Sequence, residues 1–442
     1  MSAHTNSLIL GSRSIRDLIN HHQNLKLLVR EFKVFWKETL GKINPNGKKL
    51  LCTKGLIDLG VALGTSFINI LIWRKTQSIP LIVLYNITFY LAIYVAYGLP
   101  VFLVRVKKTR FLRLGILLYL VMFIFLATNN TLGRNLVLFI GLLQGLACGA
   151  FWIANNSLTY ENTDDNNRDK FFALDSINGG LISIVSPMVL SLVFFGSKQL
   201  SDASLSNSYF LLFILTIILL ITAMFFSFKI PSGYFEQIEI SNLIEIVKDK
   251  VWNVILIREA FGGIRDGVEG FIPSLLIFSI LGSEFNISVL SLAFSIIGIL
   301  VSLRLALVLK RENRLFYAFI GSVLFIVSRS TYIRFFSLTG MVIGASIELF
   351  ANPLFGLGLA STFFDAIDHS SRTKHRPVEY IYVREVALMI GRVLGCFLIL
   401  FLFNLRGGIE SLKISYLILS FIPFIYFLLT YIFERKFKTT NE

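Results

Sequence analysis

Apolar and polar positions alternate along this chain on the scale of whole helices. Twelve stretches are dominated by Ile, Leu, Val and Phe, at about residues 50–73, 79–104, 111–128, 134–158, 170–196, 208–228, 252–281, 285–309, 315–336, 338–362, 379–404 and 412–433. Roughly 20 such residues cross the hydrocarbon core of a bilayer as a helix. Backbone polar groups in lipid must be satisfied internally, which excludes an open sheet. The pattern predicts an all-α membrane protein with 12 transmembrane helices, here called spans 1 to 12. An even number puts both termini on one side.

The polar intervals divide the chain further. Residues 1–49 form a tail in which His22 to Leu40 reads as an amphipathic surface helix, with Leu25, Leu28, Phe32 and Phe35 on one side and Lys26, Arg30, Lys33 and Lys37 on the others. Charges interrupt its apolar run and no small-residue cleavage site follows, so no signal peptide is expected. Residues 229–251 make a linker with a short amphipathic helix, opened by Asn242 and Glu245 in a capping-box arrangement. The expected organisation is therefore a tail (1–49), a six-helix bundle (50–228), the linker (229–251), a second bundle (252–434) and a short tail (435–442).

Span 7 departs from the pattern. It carries Arg258, Glu259, Arg265, Asp266 and Glu269, which at about 100° per residue share roughly one third of the helix circumference. A mid-membrane charge costs roughly 2.5–3.5 kcal/mol, whereas a large aliphatic residue returns about 0.3–0.6. The stripe must therefore face protein or a wet cavity. Two arginines against three carboxylates leave one acid unmatched within the helix. Gly262, Gly263, Gly267, Gly270 and Pro273 predict close approach of a neighbour or a bend.

Composition agrees with the membrane reading: 55% hydrophobic and 16% charged residues lie outside the range of soluble domains. The net charge of +15 would suit nucleic acid, but the cations flank apolar spans and nucleic-acid binding is rejected. Basic clusters fall in the first tail, in the span 2–3, 8–9 and 10–11 connections and in the last tail, all on one face, which is assigned to the cytoplasm of a cell-membrane protein. Arg74 and Lys75 are the exceptions. Cys52, Cys148 and Cys396 lie in apolar segments and read as packing residues, and neither cysteines nor histidines show metal-ligand spacing. No cofactor is expected, and no phosphate-binding loop motif is present.

The halves repeat each other. Gly141-x-x-x-Gly145 and Phe151 in span 4 recur as Gly340-x-x-x-Gly344 and Phe350 in span 10; Asp169 and Asp175 match Glu379 and Glu385; Gly55-x-x-Asp58 matches Gly263-x-x-Asp266. Twelve spans in a six-plus-six repeat, a long middle linker and basic 2–3 and 8–9 loops resemble the major facilitator superfamily. Gly98, Arg105, Lys107 and Lys108 fit the 2–3 loop motif of that family, although Phe102 stands where its aspartate belongs. Ser183-x-x-Ser186-Pro187 replaces the Gly-Pro motif of its antiporters, a slight tilt towards efflux.

The resemblance implies that spans 1, 4, 7 and 10 line a central cavity. Its expected residues are Asp58, Trp152, Asn155, Asn156, the span 7 charges, Glu348 and Asn352, with Lys54, Asp175, Arg384, Glu385 and Arg392 as a gating and charge network. Glu348 has no basic partner on its own helix and is, with one acid of span 7, the expected proton carrier. Arg258, Arg265 or Arg392 is expected to hold an anionic substrate group. Glu385 and Arg392 are expected to pair. The implied function is a monomeric, non-enzymatic secondary transporter coupled to protons, whose partners are a small-molecule or lipid-like substrate, protons and membrane lipids. A lipid or lipid-linked glycan flippase and a membrane-embedded glycosyltransferase are the alternatives.

Overall fold

The computed structural model describes residues 43–102, 106–129, 131–163, 167–196, 202–231, 233–235, 239–308, 311–359 and 377–439. The expected amphipathic helix at 22–40 lies outside them. The described chain is helical apart from one isolated bridge, Lys107 to Tyr234, which ties the 2–3 loop to the linker.

Span 1 is two helices, α1 (Pro45–Thr65) and α2 (Ile68–Thr76). Spans 2 to 6 are α3 (Ile79–Phe102), α4 (Lys108–Thr128), α5 (Arg134–Asn162), α6 (Arg168–Phe195) and α7 (Asp202–Ser227). The linker helix is α8 (Ile240–Lys248), and span 7 is α9 (Lys250–Glu269) followed by α10 (Ile272–Leu281). Spans 8 to 11 are α11 (Glu284–Val308), α12 (Arg314–Arg334), α13 (Leu338–Leu359) and α14 (Pro377–Arg406). Span 12 is α15 (Gly408–Leu419) and α16 (Ile422–Thr439).

Eleven helical stretches among the described residues are long and apolar enough to cross a membrane. Span 7 is not among them, because α9 carries the charged stripe and α10 has only 10 residues. The chain breaks at Gly270 and Phe271, and Pro273 falls in the first turn of the new helix, where its missing N–H costs nothing. The break releases the Gly267 carbonyl, which accepts a hydrogen bond from the Tyr90 hydroxyl at 2.9 Å. A neighbouring span thus satisfies the backbone group that lipid cannot.

Small residues bring the helices together. In α5, a Cβ on Gly145 would overlap the Phe89 carbonyl of α3, so this pair of spans packs backbone to backbone. In α9, a Cβ on Gly267 would lie 2.6 Å from the Arg392 Cα of α14. The first and second halves of the chain meet along α3 with α14 and along α6 with α11. The linker helix α8 packs on α14 and α9.

Two expectations change. The N-cap of α8 is Glu239, so Asn242 lies inside the first turn, and its side chain donates to Glu379 of α14 at 2.9 Å instead of capping. Of the cysteines, Cys396 is buried as expected of a packing residue, but Cys52 is exposed among the described residues.

Candidate functional site

On the N-terminal half, α1 places Lys54 and Asp58 one turn apart and α6 brings Asp175 opposite them. Lys54 Nζ lies 2.7 Å from Asp58 Oδ2 and 2.8 Å from Asp175 Oδ1, the second a charge contact without hydrogen-bond alignment. Lys54 is buried. It therefore does not snorkel to the membrane surface, and one ammonium serves two carboxylates. Trp152 of α5 is 41% exposed, and its ring centre is 5.7 Å from Lys54 Nζ. One turn on, Asn156 is exposed, whereas Asn155 is buried and its Oδ1 has no hydrogen-bond partner among the described residues.

On the C-terminal half the span 7 stripe divides. Arg258 and Glu259 are each only 1% exposed: Arg258 donates to Glu259 at 2.6 Å, while Glu259 also accepts from Arg384 of α14 at 2.9 Å and from the Tyr426 hydroxyl of α16 at 2.9 Å. Buried carboxylates need this density of donors. The pair is sealed between helices and cannot reach a solute, so the expected cavity role of Arg258 and Glu259 is corrected to a helix-to-helix tie.

A second knot gathers around Arg329 of α12, which is buried. Its guanidinium donates to Glu269, to Glu348 of α13 at 3.3 Å and to the Leu419 carbonyl of α15 at 3.3 Å. Arg265 reaches Glu269 from the next turn at 2.8 Å, and the Tyr416 hydroxyl meets Glu348 at 3.3 Å. Glu348 is thus not an unmatched acid, because its cation comes from another helix. Arg329 ties spans 7, 9, 10 and 12 and was not among the expected site residues. A guanidinium within a span, five residues before the end of α12, is the signal that marks it.

Asp266 is the odd acid of span 7. Its side chain is 51% exposed, and the cation beside it, Arg392 Nη2 of α14, stands 3.9 Å away, beyond hydrogen-bond reach. Arg392 also lies over the ring of Tyr90 from α3, at 5.9 Å. The expected pairing of Glu385 with Arg392 gives way to Glu385 with Arg384 at 3.7 Å and Arg392 with Asp266. Asn352 is exposed on α13.

The expected residues thus fall into an N-terminal triad, a sealed pair, the Arg329 knot and the open Asp266 with Arg392. The halves also meet where α2 ends and α11 begins. Arg74 of α2 holds Glu284 of α11 through two bonds, Nε to Oε1 at 2.6 Å and Nη2 to Oε2 at 2.9 Å, and Tyr209 of α7 donates to Oε1 at 2.9 Å. The Glu284 side chain is 2% exposed. This contact was not expected from sequence, where Arg74 stood out only as a cation on the wrong face.

Solved structures share the arrangement. The crystal structure of the nucleoside transporter NupG superposes with a TM-score of 0.63 and 14% identity, over 89% of this chain and 100% of that one. A POT family transporter in complex with a thioalcohol-conjugated peptide gives 0.66 and 9%, over 90% and 99%. The chain shares the fold of these transporters, the fold implied by its resemblance to the major facilitator superfamily (MFS). The human organic anion transporter MFSD10 (TETRAN) gives 0.60 and 11%, over 88% and 100%. With this MFS fold the chain is an integral membrane protein. No family profile matches the sequence. Among sequences, the uncharacterized protein YqgE of Bacillus subtilis (strain 168) is 25% identical over 390 residues, 82% of this chain and 85% of that protein. A protein in the sodM 3' region of Geobacillus stearothermophilus is 29% identical over 161 residues, 34% of this chain and 74% of that one.

Proposed function

We propose that the chain is a secondary transporter, not an enzyme, that moves a small organic solute across the cell membrane by alternating access. Residues 50–228 and 252–434 act as two bundles that rock about a site between them, with both termini cytoplasmic. The observation that carries this reading is the charge left over after the structural ties are counted. Arg258 with Glu259, and Arg329 with Glu269 and Glu348, are satisfied within the helix packing. Asp58 and Asp175 share one lysine, and Asp266 faces open space with a loosely placed arginine. Carboxylates in a span that packing does not need are functional by default.

Coupling follows from the triad. Two carboxylates and one ammonium carry net charge −1, which a proton or a cationic group of the solute neutralises. The proton role moves from Glu348 to Asp58 and Asp175, with Asp266 and Arg392 opposite them as contacts for solute. The state described has its outer side closed, supported by Arg74 with Glu284 and by the Phe195 and Phe285 rings, 5.6 Å apart, at the outer ends of α6 and α11. That neighbours of the same fold carry nucleosides or bind a peptide conjugate supports a polar solute of that size. The Ser183 to Pro187 sequence inclines the reading to efflux.

Thermal stabilisation of purified protein by a panel of nucleosides, short peptides and organic anions finds the solute, and proteoliposomes then test the mechanism. Wild type should accumulate that solute against its gradient when a pH gradient is imposed. Asp58→Asn and Asp175→Asn should lose this accumulation yet retain exchange of labelled for unlabelled solute at equal pH. Normal pH-driven accumulation by both variants would overturn the triad as proton site. A wild type that neither accumulates nor exchanges the solute it binds would overturn transport.

A further inference from the structure

A cavity of about 610 Å³ opens at the outer ends of α2, α4 and α7. Its lining contains none of the charged residues of the inner site, and no carboxylate is found among the described lining residues. Arg74, Lys75, Asn129 and Asn207 contribute the polar part, all within a turn or two of helix ends. Leu126, Phe210 and Phe213 contribute the apolar part, with Phe213 eleven residues into α7, roughly 16 Å below its start at 1.5 Å per residue. The cavity is therefore amphipathic along the membrane normal, cationic at headgroup level and aromatic at acyl level. Phe210 is half exposed on its flank, which leaves the side towards lipid apolar.

Arg74 and Lys75 are also adjacent cations on the face opposite the basic clusters. Arg74 is engaged with Glu284. Lys75 is exposed and has no carboxylate beside it among the described residues. We propose that this cavity binds an anionic phospholipid of the outer leaflet, its phosphate against Lys75 and Arg74 and one acyl chain against the exposed Phe210. A compact ammonium and a planar guanidinium that both line one cavity suit a phosphate, which accepts hydrogen bonds from either. Arg74 lines the cavity and also holds Glu284, so the lipid phosphate competes with Glu284 for one guanidinium. Occupancy of the cavity therefore loosens the contact that closes the outer side. Binding requires no turnover, so this inference stands apart from the transport reading.

The test is native mass spectrometry of delipidated protein titrated with palmitoyl-oleoyl phosphatidylglycerol or phosphatidylcholine. Wild type should retain phosphatidylglycerol in preference. Lys75→Gln should bind it about fivefold more weakly and Lys75→Glu more weakly still, while Lys75→Arg should bind as wild type does. Glu284→Gln, which leaves Arg74 without its buried counter-charge, should bind several-fold more tightly. A basic surface patch would not respond to a residue buried at the helix seam. Undiminished phosphatidylglycerol binding by Lys75→Glu, or equal retention of the two lipids by wild type, would overturn the site. Equal stabilisation by glycerol 1-phosphate without lipid would assign it to a soluble anion instead. Unchanged affinity in Glu284→Gln would overturn the competition for Arg74.

Discussion

Removing Arg74 should open the outer side of the protein. In the closed state Glu284 is 2% exposed and accepts two bonds from Arg74, at 2.6 and 2.9 Å, and one from Tyr209. Arg74→Ala leaves the carboxylate buried with the tyrosine alone. Breaking a buried pair by deleting one partner costs about 3–5 kcal/mol. Arg74 itself is 30% exposed, which takes the lower end, about 3 kcal/mol. When the two halves separate, Glu284 meets water and the penalty vanishes, so the whole amount acts on the equilibrium between states. It corresponds to a factor of about 150, enough to carry a closed-to-open ratio of roughly 99:1 to near parity. Glu284→Gln removes the buried charge along with the pairing and leaves only the part-exposed Arg74 without its partner, so it should shift the equilibrium much less. Spin labels at Gln77 on the outer end of span 1 and Asn286 at the start of span 8 report the separation by pulsed electron resonance. Arg74→Ala should add a long-distance population of comparable weight to the short one, and Glu284→Gln a minor one. An unchanged distance distribution in folded Arg74→Ala protein would refute the latch.

Three further outcomes are expected. Arg329→Met should lower unfolding stability by about 3–5 kcal/mol by stranding Glu348 and half of the Glu269 bonds, and adding Glu348→Gln should recover part of that loss in a denaturant titration; an additive double mutant would show that the knot is not a unit. Asp266→Asn should leave the thermal midpoint within a degree or two, because its side chain is 51% exposed, yet abolish transport in proteoliposomes; full activity would remove it from the site. In a background free of cysteine, Asn286→Cys should react with an impermeant maleimide from outside sealed cells and Glu312→Cys should not, the reverse pattern inverting the membrane orientation.

The periodicity of the chain determined the helical class, most of the span positions and the excess of acid over base in span 7, since these follow from local properties: apolar length against bilayer thickness, and charges counted along one helix. The repeat of Gly55-x-x-Asp58 as Gly263-x-x-Asp266 has a packing counterpart in both places, with Gly55 against Asn178 of α6 and Gly263 against the Leu388 backbone of α14. Which charges are spent and which are free was decided only in three dimensions. Glu348 looked unpartnered because a helix shows only its own neighbours at three and four residues, whereas Arg329 arrives from 19 residues away on the next span. Glu259 and Glu269 share a stripe with Asp266, yet Glu259 is bonded by Arg384 and Tyr426 and Glu269 by Arg265 of its own helix and Arg329 of α12, whereas Asp266 between them stays half exposed with Arg392 only loosely placed. Arg74 and Glu284 are 210 residues apart, and no local pattern could join them. The energy of a charge in a membrane is set by what surrounds it, and that is a property of the packed helices.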